Sequence, residues 1–174
     1  MLFSLSLVRV CVVCLLAYPA TSSAQLLAEP KISLKPFTTD GCSMWIDGTS
    51  KNPHLWRHCC VTHDKDYWLG GTEAQRKLSD ESLRTCIIQT DNKAMGEYLY
   101  MSVRWGGAPQ WMTPYRWGYG WDYLDGGRPR GYKTPSEQEQ VEIKLRLPQA
   151  EQVIAEDAIK HPPLVKAAEK ESAP

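Results

Sequence analysis

The run Cys59-Cys60-Val61-Thr62-His63-Asp64 constrains this chain more than any other feature. It sits in a stretch, residues 55–69, where Trp56, Cys59, Cys60, His63 and Tyr67 recur at three- and four-residue steps. That is the period of a helix with one buried face. Asn52-Pro53 is positioned to start the helix and Gly70-Gly71 to end it. Residues four apart share a helix face, so Cys59 lies in line with His63 and Cys60 with Asp64. Adjacent cysteines on a helix diverge, and a bridge between them strains the backbone. Both must therefore reach other segments.

The possible partners follow from the compartment. Arg9 is the only charge before Glu29, residues 10–17 are apolar, and Ser22-Ser23-Ala24 offers small residues before Gln25. This reads as a secretory signal over residues 1–24, cleaved after Ala20 or Ala24. Cys11 and Cys14 would leave with it. Cys42, Cys59, Cys60 and Cys86 remain, and an even set in an exported chain implies two disulfides. With the adjacent pair excluded, two pairings are left, and spacing does not choose between them. The expected location is secreted or periplasmic.

The rest of the chain divides by composition. Residues 25–39, with Pro30 and Pro36, read as a linker; residues 40–53 are turn-rich, with Asp40-Gly41 and Asp47-Gly48. Thr72 opens a second helix with Gln75 three residues on, the pattern of a capping box. Its expected buried face is Leu78, Leu83, Cys86, Ile87 and Ile88. Residues 94–105 form a third helical pattern with Met95, Leu99 and Val103 on one side. Residues 109–132 are dense in Trp, Tyr, Gly and Pro, too glycine-rich for a helix. Residues 141–147 alternate apolar and charged side chains, as a half-buried strand does, and Pro148 would end it. A weak helix near 149–160 and a disordered, flexible end would complete a C-terminal region of 135–174.

Formal net charge is zero, and loss of the leader makes it −1, so no global field favours a nucleic-acid partner. Seven Trp and eight Tyr against two Phe favour side chains with an apolar body and a polar tip, suited to a core or to a lipid surface. On a lipid surface, segment 105–123 would be the contact, with Lys51, Arg104 and Arg116 near phosphates.

His63 is the natural general base near neutral pH. Asp64 cannot orient it, because consecutive helix residues point about 100° apart. Asp80, inside the second helix and six residues before Cys86, can do so if Cys86 bridges Cys59 and the two helices run antiparallel. Asp64 is then left for a cation, together with oxygens of loop 40–48. The plainer alternatives are a surface His–Asp pair and an Asp80 paired with Arg76 or Arg84. Zinc held among His54, His58, Cys59, Cys60 and His63 is a third, disfavoured by the adjacent cysteines and by export.

Cys59-Cys60-x-x-His63-Asp64-x-x-Tyr67 resembles the active-site helix of secreted phospholipases A2, whose signature is C-C-x-x-H-D-x-C-Y. The start Asp40-Gly41-Cys42-Ser43 resembles the calcium loop of bacterial members, and the similarity covers residues 40–90. The resemblance implies a mainly α fold, with a core of antiparallel disulfide-linked helices and a calcium loop over residues 40–134. It implies Cys42–Cys60 and Cys59–Cys86 bridges, His63 as base, Asp80 as its orienter, and Tyr67 hydrogen-bonded to Asp80. Asp64 would bind Ca2+. The loop carbonyls of Gly41, Ser43 and Trp45 match ligand positions of animal members, and Asp40 matches an acidic ligand of bacterial members. Two departures stand out. Asp66 replaces a third helix cysteine, and the loop has fewer glycines than the family pattern G-C-x-C-G-x-G-G.

The implied activity is calcium-dependent hydrolysis of the sn-2 ester of glycerophospholipids by a monomer on membranes or micelles. The alternatives are an inert scaffold of the same fold that binds lipid or protein, and a small zinc-structured protein.

Overall fold

In the computed structural model, residues 33–164 are described; the expected signal segment and the last ten residues lie outside them. The described residues are mainly helical: α1 (Arg57–Leu69), α2 (Glu73–Ile88), α3 (Lys93–Gly106) and α4 (Glu137–Lys160). Two short strands, β1 (Leu124–Asp125) and β2 (Arg128–Pro129), pair antiparallel as a small hairpin within the glycine-rich segment. No helix among the described residues is long and apolar enough to cross a membrane.

Local chemistry sets the helix ends. The α1 helix stops at Gly70, which has φ 69° and donates its N–H to the Asp66 carbonyl. A Cβ there would also sit 2.8 Å from the Gly118 Cα, so the turn and the approach of a neighbouring strand of chain both require glycine. Two residues later Thr72 and Gln75 form the expected capping box and start α2. Asn92 caps α3 by accepting from the Met95 N–H.

Cys59, near the start of α1, is bridged to Cys86, near the end of α2, so these helices run antiparallel. Cys42 is bridged to Cys60 and ties the turn-rich loop to α1. Around these bridges Trp56, Leu83, Ile87 and Leu99 close one apolar cluster. Leu78, expected on the buried face of α2, is instead 63% exposed.

A second cluster joins Trp68 and Trp121 to Leu34, Phe37 and Ala150. It overturns two expectations. From residue 33 onward the lead-in is not a linker, because Leu34 and Phe37 are fully buried. Residues 141–147 are not a strand but the middle of the 24-residue helix α4. The apolar–charged alternation there is coincidental. The inward stripe is Glu142, Ile143, Leu147, Ala150, Val153 and Ile154, which has helical spacing. Ser136 and Glu139 cap the helix start reciprocally. Pro148 lies inside it, leaving the Lys144 carbonyl without its usual N–H partner. Tertiary contacts override that local penalty. Glu142 accepts from the backbone N–H groups of Ser33 and Leu34, and Gln149 bonds both the N–H and the carbonyl of Phe37.

Candidate active site

The α1–α2 clamp brings His63 and Asp80 together, each inside its own helix. His63 Nε2 lies 2.8 Å from Asp80 Oδ1, and both residues are buried. The same carboxylate oxygen accepts from the Tyr67 hydroxyl at 2.8 Å, and Oδ2 accepts from Arg104 Nη1 at 2.7 Å. Arg76 lies 3.8 Å from Oδ2 and donates its Nε–H to the Tyr67 hydroxyl. Burial opposes ionisation of Asp80, but the hydrogen bonds from His63, Arg104 and Tyr67 outweigh it and hold the carboxyl below the usual range. An ionised Asp80 only accepts, so in the neutral imidazole the proton sits on Nε2 and the lone pair on Nδ1. The Tyr67 ring packs against the imidazole with centroids 4.2 Å apart, which leaves the imidazole little rotational freedom.

His63 lines a cavity of about 810 Å3 between loop 38–45, α1 and α3, walled largely by apolar and aromatic groups. Asp64, Asp40, Gly41, Ser43, Trp45 and Tyr67 line the same cavity. All the site residues expected from sequence thus converge on one space, except Asp80, which lies directly behind His63.

Asp64 points away from His63, toward the loop. Its Oδ2 accepts from the Thr39 hydroxyl at 2.6 Å, and Thr39 Oγ1 in turn accepts from the Gly41 N–H. Burial pushes the Asp64 carboxyl up to about 8; the Thr39 hydrogen bond and the positive Arg57 oppose this, while the negative Asp40 and Asp47 add to it. Three acids, Asp64, Asp40 and Asp47, stand against the one nearby cation, Arg57, and the carboxylates, hydroxyls and carbonyls around Asp64 are all oxygen donors. That set suits a hard divalent cation such as Ca2+. Asp40 Oδ1 accepts from the Ser43 hydroxyl, and the Gly41 and Cys42 carbonyls accept from Ser43 N and Trp45 N, which curls the loop tightly.

Zinc does not fit the cysteines. His58 Nε2 lies 3.5 Å from Cys59 Sγ and 3.6 Å from Cys86 Sγ, but both sulfurs are consumed in a disulfide and offer no thiolate.

Sequence reasoning missed several groups. Arg104 and Arg116 were expected near lipid phosphates. Arg104 instead serves Asp80, and Arg116 is buried, donating to the carbonyls of Trp117, Gly118 and Trp121. Thr39 fell inside the expected linker. Arg57 and Asp157 carry no motif at all. Comparison of the chain with family models, curated proteins and solved structures finds no match.

Proposed function

We propose that the protein is an exported, calcium-dependent hydrolase that cleaves the sn-2 ester of glycerophospholipids. One observation carries this reading: the His63–Asp80 pair and the cation-suited Asp64 loop face a single large apolar cavity. Two disulfides favour an oxidising compartment, secreted or periplasmic.

In this reading His63 Nδ1 accepts a proton from a water whose oxygen attacks the ester carbonyl carbon. The same proton then passes to the departing glycerol oxygen as the acyl bond breaks. Asp80 stabilises the imidazolium that forms between these steps and fixes the ring. Tyr67 and Arg104 hold Asp80 in place. Asp64, with Asp40 or the carbonyls of Gly41, Ser43 and Trp45, would hold Ca2+. When bound, Ca2+ supplies positive charge for the ester carbonyl and the phosphate. The apolar cavity walls take the acyl chains and exclude bulk water.

The exposed apolar side chains support a lipid surface as partner. Met44, Trp45, Tyr98 and Trp105 line the cavity and are also exposed; Ile46 follows Trp45 in sequence and is 58% exposed, and Met112 follows Trp111 and is 77% exposed. Trp105 and Trp111 rings lie 6.0 Å apart and Trp45 and Tyr98 rings 4.7 Å apart, giving broad aromatic ground at the rim. The protein would act there as a monomer.

The test is fatty-acid release from phospholipid vesicles by the disulfide-intact protein, with calcium and with EGTA. Release that needs calcium supports the proposal; no release at any calcium level overturns it. An inert lipid-binding scaffold is the second reading, favoured by a loop whose only glycines are Gly41 and Gly48. It predicts no calcium binding at millimolar concentration.

A further inference from the structure

We propose that Arg57, anchored by Asp157 of α4, is the positioning residue of the cation loop, holding residues 40–47 in the curvature that faces Asp64. This rests on the calcium reading above.

Arg57 occupies a place that helix energetics disfavour. It is the first residue of α1, where the helix end is electropositive, and no acid lies in that first turn. It is nevertheless 8% exposed, so its charge needs partners from outside the helix. The partners come from two directions. Nε and Nη2 grip the Asp157 carboxylate of α4 at 2.6–3.1 Å, in a planar fork. Nη1 donates to the Asp40 carbonyl at 3.0 Å and to the Asp47 carboxylate. One guanidinium therefore joins both ends of the loop to α4.

The loop is shaped around that group. Asp47 Oδ1 accepts from the Cys42 N–H at 2.8 Å, closing the turn. Gly41 has φ +86°, and a Cβ there would collide with Arg57 Nη1 and Asp47 Oδ1. The segment after α4 reinforces the arrangement, since Leu164 exchanges backbone hydrogen bonds with the Asn52 side chain just beyond the loop.

The consequence is a division of labour among acids. Arg57 takes the Asp40 carbonyl and neutralises Asp47, so these are not ligands. The Asp64 and Asp40 carboxylates are left for the cation. A loop with few glycines keeps its tight form because a buried cation of the protein's own holds its backbone from behind.

The experiment compares wild type with Asp157→Asn, Arg57→Lys and Glu151→Gln, all as full disulfide-intact chains. Glu151 forms the other α1–α4 ion pair, with Lys65, away from the loop. Isothermal titration reads calcium affinity, thermal unfolding reads stability, and ester hydrolysis at saturating calcium reads turnover. The expected result is a calcium Kd about tenfold weaker in Asp157→Asn and in Arg57→Lys. Turnover at saturating calcium should stay within about twofold of wild type, and Glu151→Gln should bind calcium normally. Folded Asp157→Asn and Arg57→Lys proteins that bind calcium like wild type would overturn the role of Arg57 while sparing the calcium reading. If Asp157→Asn does not fold, Arg57→Lys alone decides by the same criterion. A wild-type protein that binds no calcium would overturn both.

Discussion

His63 Nε2 meets Asp80 Oδ1 at 2.8 Å across 17 positions of sequence, because the Cys59–Cys86 bridge sets two antiparallel helices in register. Asp80 also faces Tyr67, Arg104 and Arg76, so its single buried charge organises an imidazole, a phenol and two guanidinium groups.

Asp80→Ala should destabilise the fold as well as silence the site. It leaves Arg76, which is 2% exposed, and Arg104 with an uncompensated charge beneath the cavity. Breaking such a pair costs about 3–5 kcal/mol. Urea unfolding should show a loss of that order; a loss below about 1 kcal/mol would mean that Asp80 is not the electrostatic centre described here.

Glu139 gives a pH signature. Burial alone would raise its carboxyl, but Arg130, the Ser136 N–H and Lys133 hold it at about 2. A lowered folded-state pKa means this stability is present above the unfolded value of about 4.5 and is lost as pH falls toward 2. Allowing for partial solvent screening, the contribution is on the order of 2 kcal/mol. Glu139→Gln keeps the capping box but not the charge. Its urea midpoint should fall below wild type at neutral pH, and the gap should narrow steadily on acidification.

The apolar rim should matter for surfaces, not for chemistry. Trp111 and Met112 do not line the cavity, yet are 42% and 77% exposed. Replacing both with alanine should weaken binding to phospholipid vesicles several-fold, measured by sedimentation, since each buries apolar area worth about 1.5–3 kcal/mol at most. Hydrolysis of a short-chain, monomeric ester should be unchanged.

The helical half of this structure was legible because several local signals agreed. Thr72 and Gln75 cap α2 and Gly70-Gly71 stops α1. The Cys59–Cys86 clamp between them did not follow from spacing, which left two pairings open; only the resemblance implied it. In α4 the signals conflicted. Residues 141–147 alternate like a strand and Pro148 looks like a stop, while the true indicators, the Ser136/Glu139 capping box and the Glu142–Leu147–Ala150 stripe, are quieter. Tertiary bonds from Glu142 and Gln149 to the chain near Leu34 and Phe37 decided the outcome, and nothing local announces them. In the site, His63, Asp64, Asp80 and Tyr67 stood out through their spacing. Arg104, Thr39, Arg57 and Asp157 did not, because each acts on a partner at least 24 positions away, except Arg57 on Asp47 and Asp40.

The central claim is that His63 is the base of sn-2 ester hydrolysis. It is tested most directly with phospholipid labelled separately in its sn-1 and sn-2 chains, given to wild type and His63→Gln in millimolar calcium. The account predicts release of the sn-2 label alone by wild type. It predicts a fall of about 100- to 10,000-fold in the variant, with the near-ultraviolet circular dichroism unchanged. Release of the sn-1 label, or a folded His63→Gln protein as active as wild type, would contradict it.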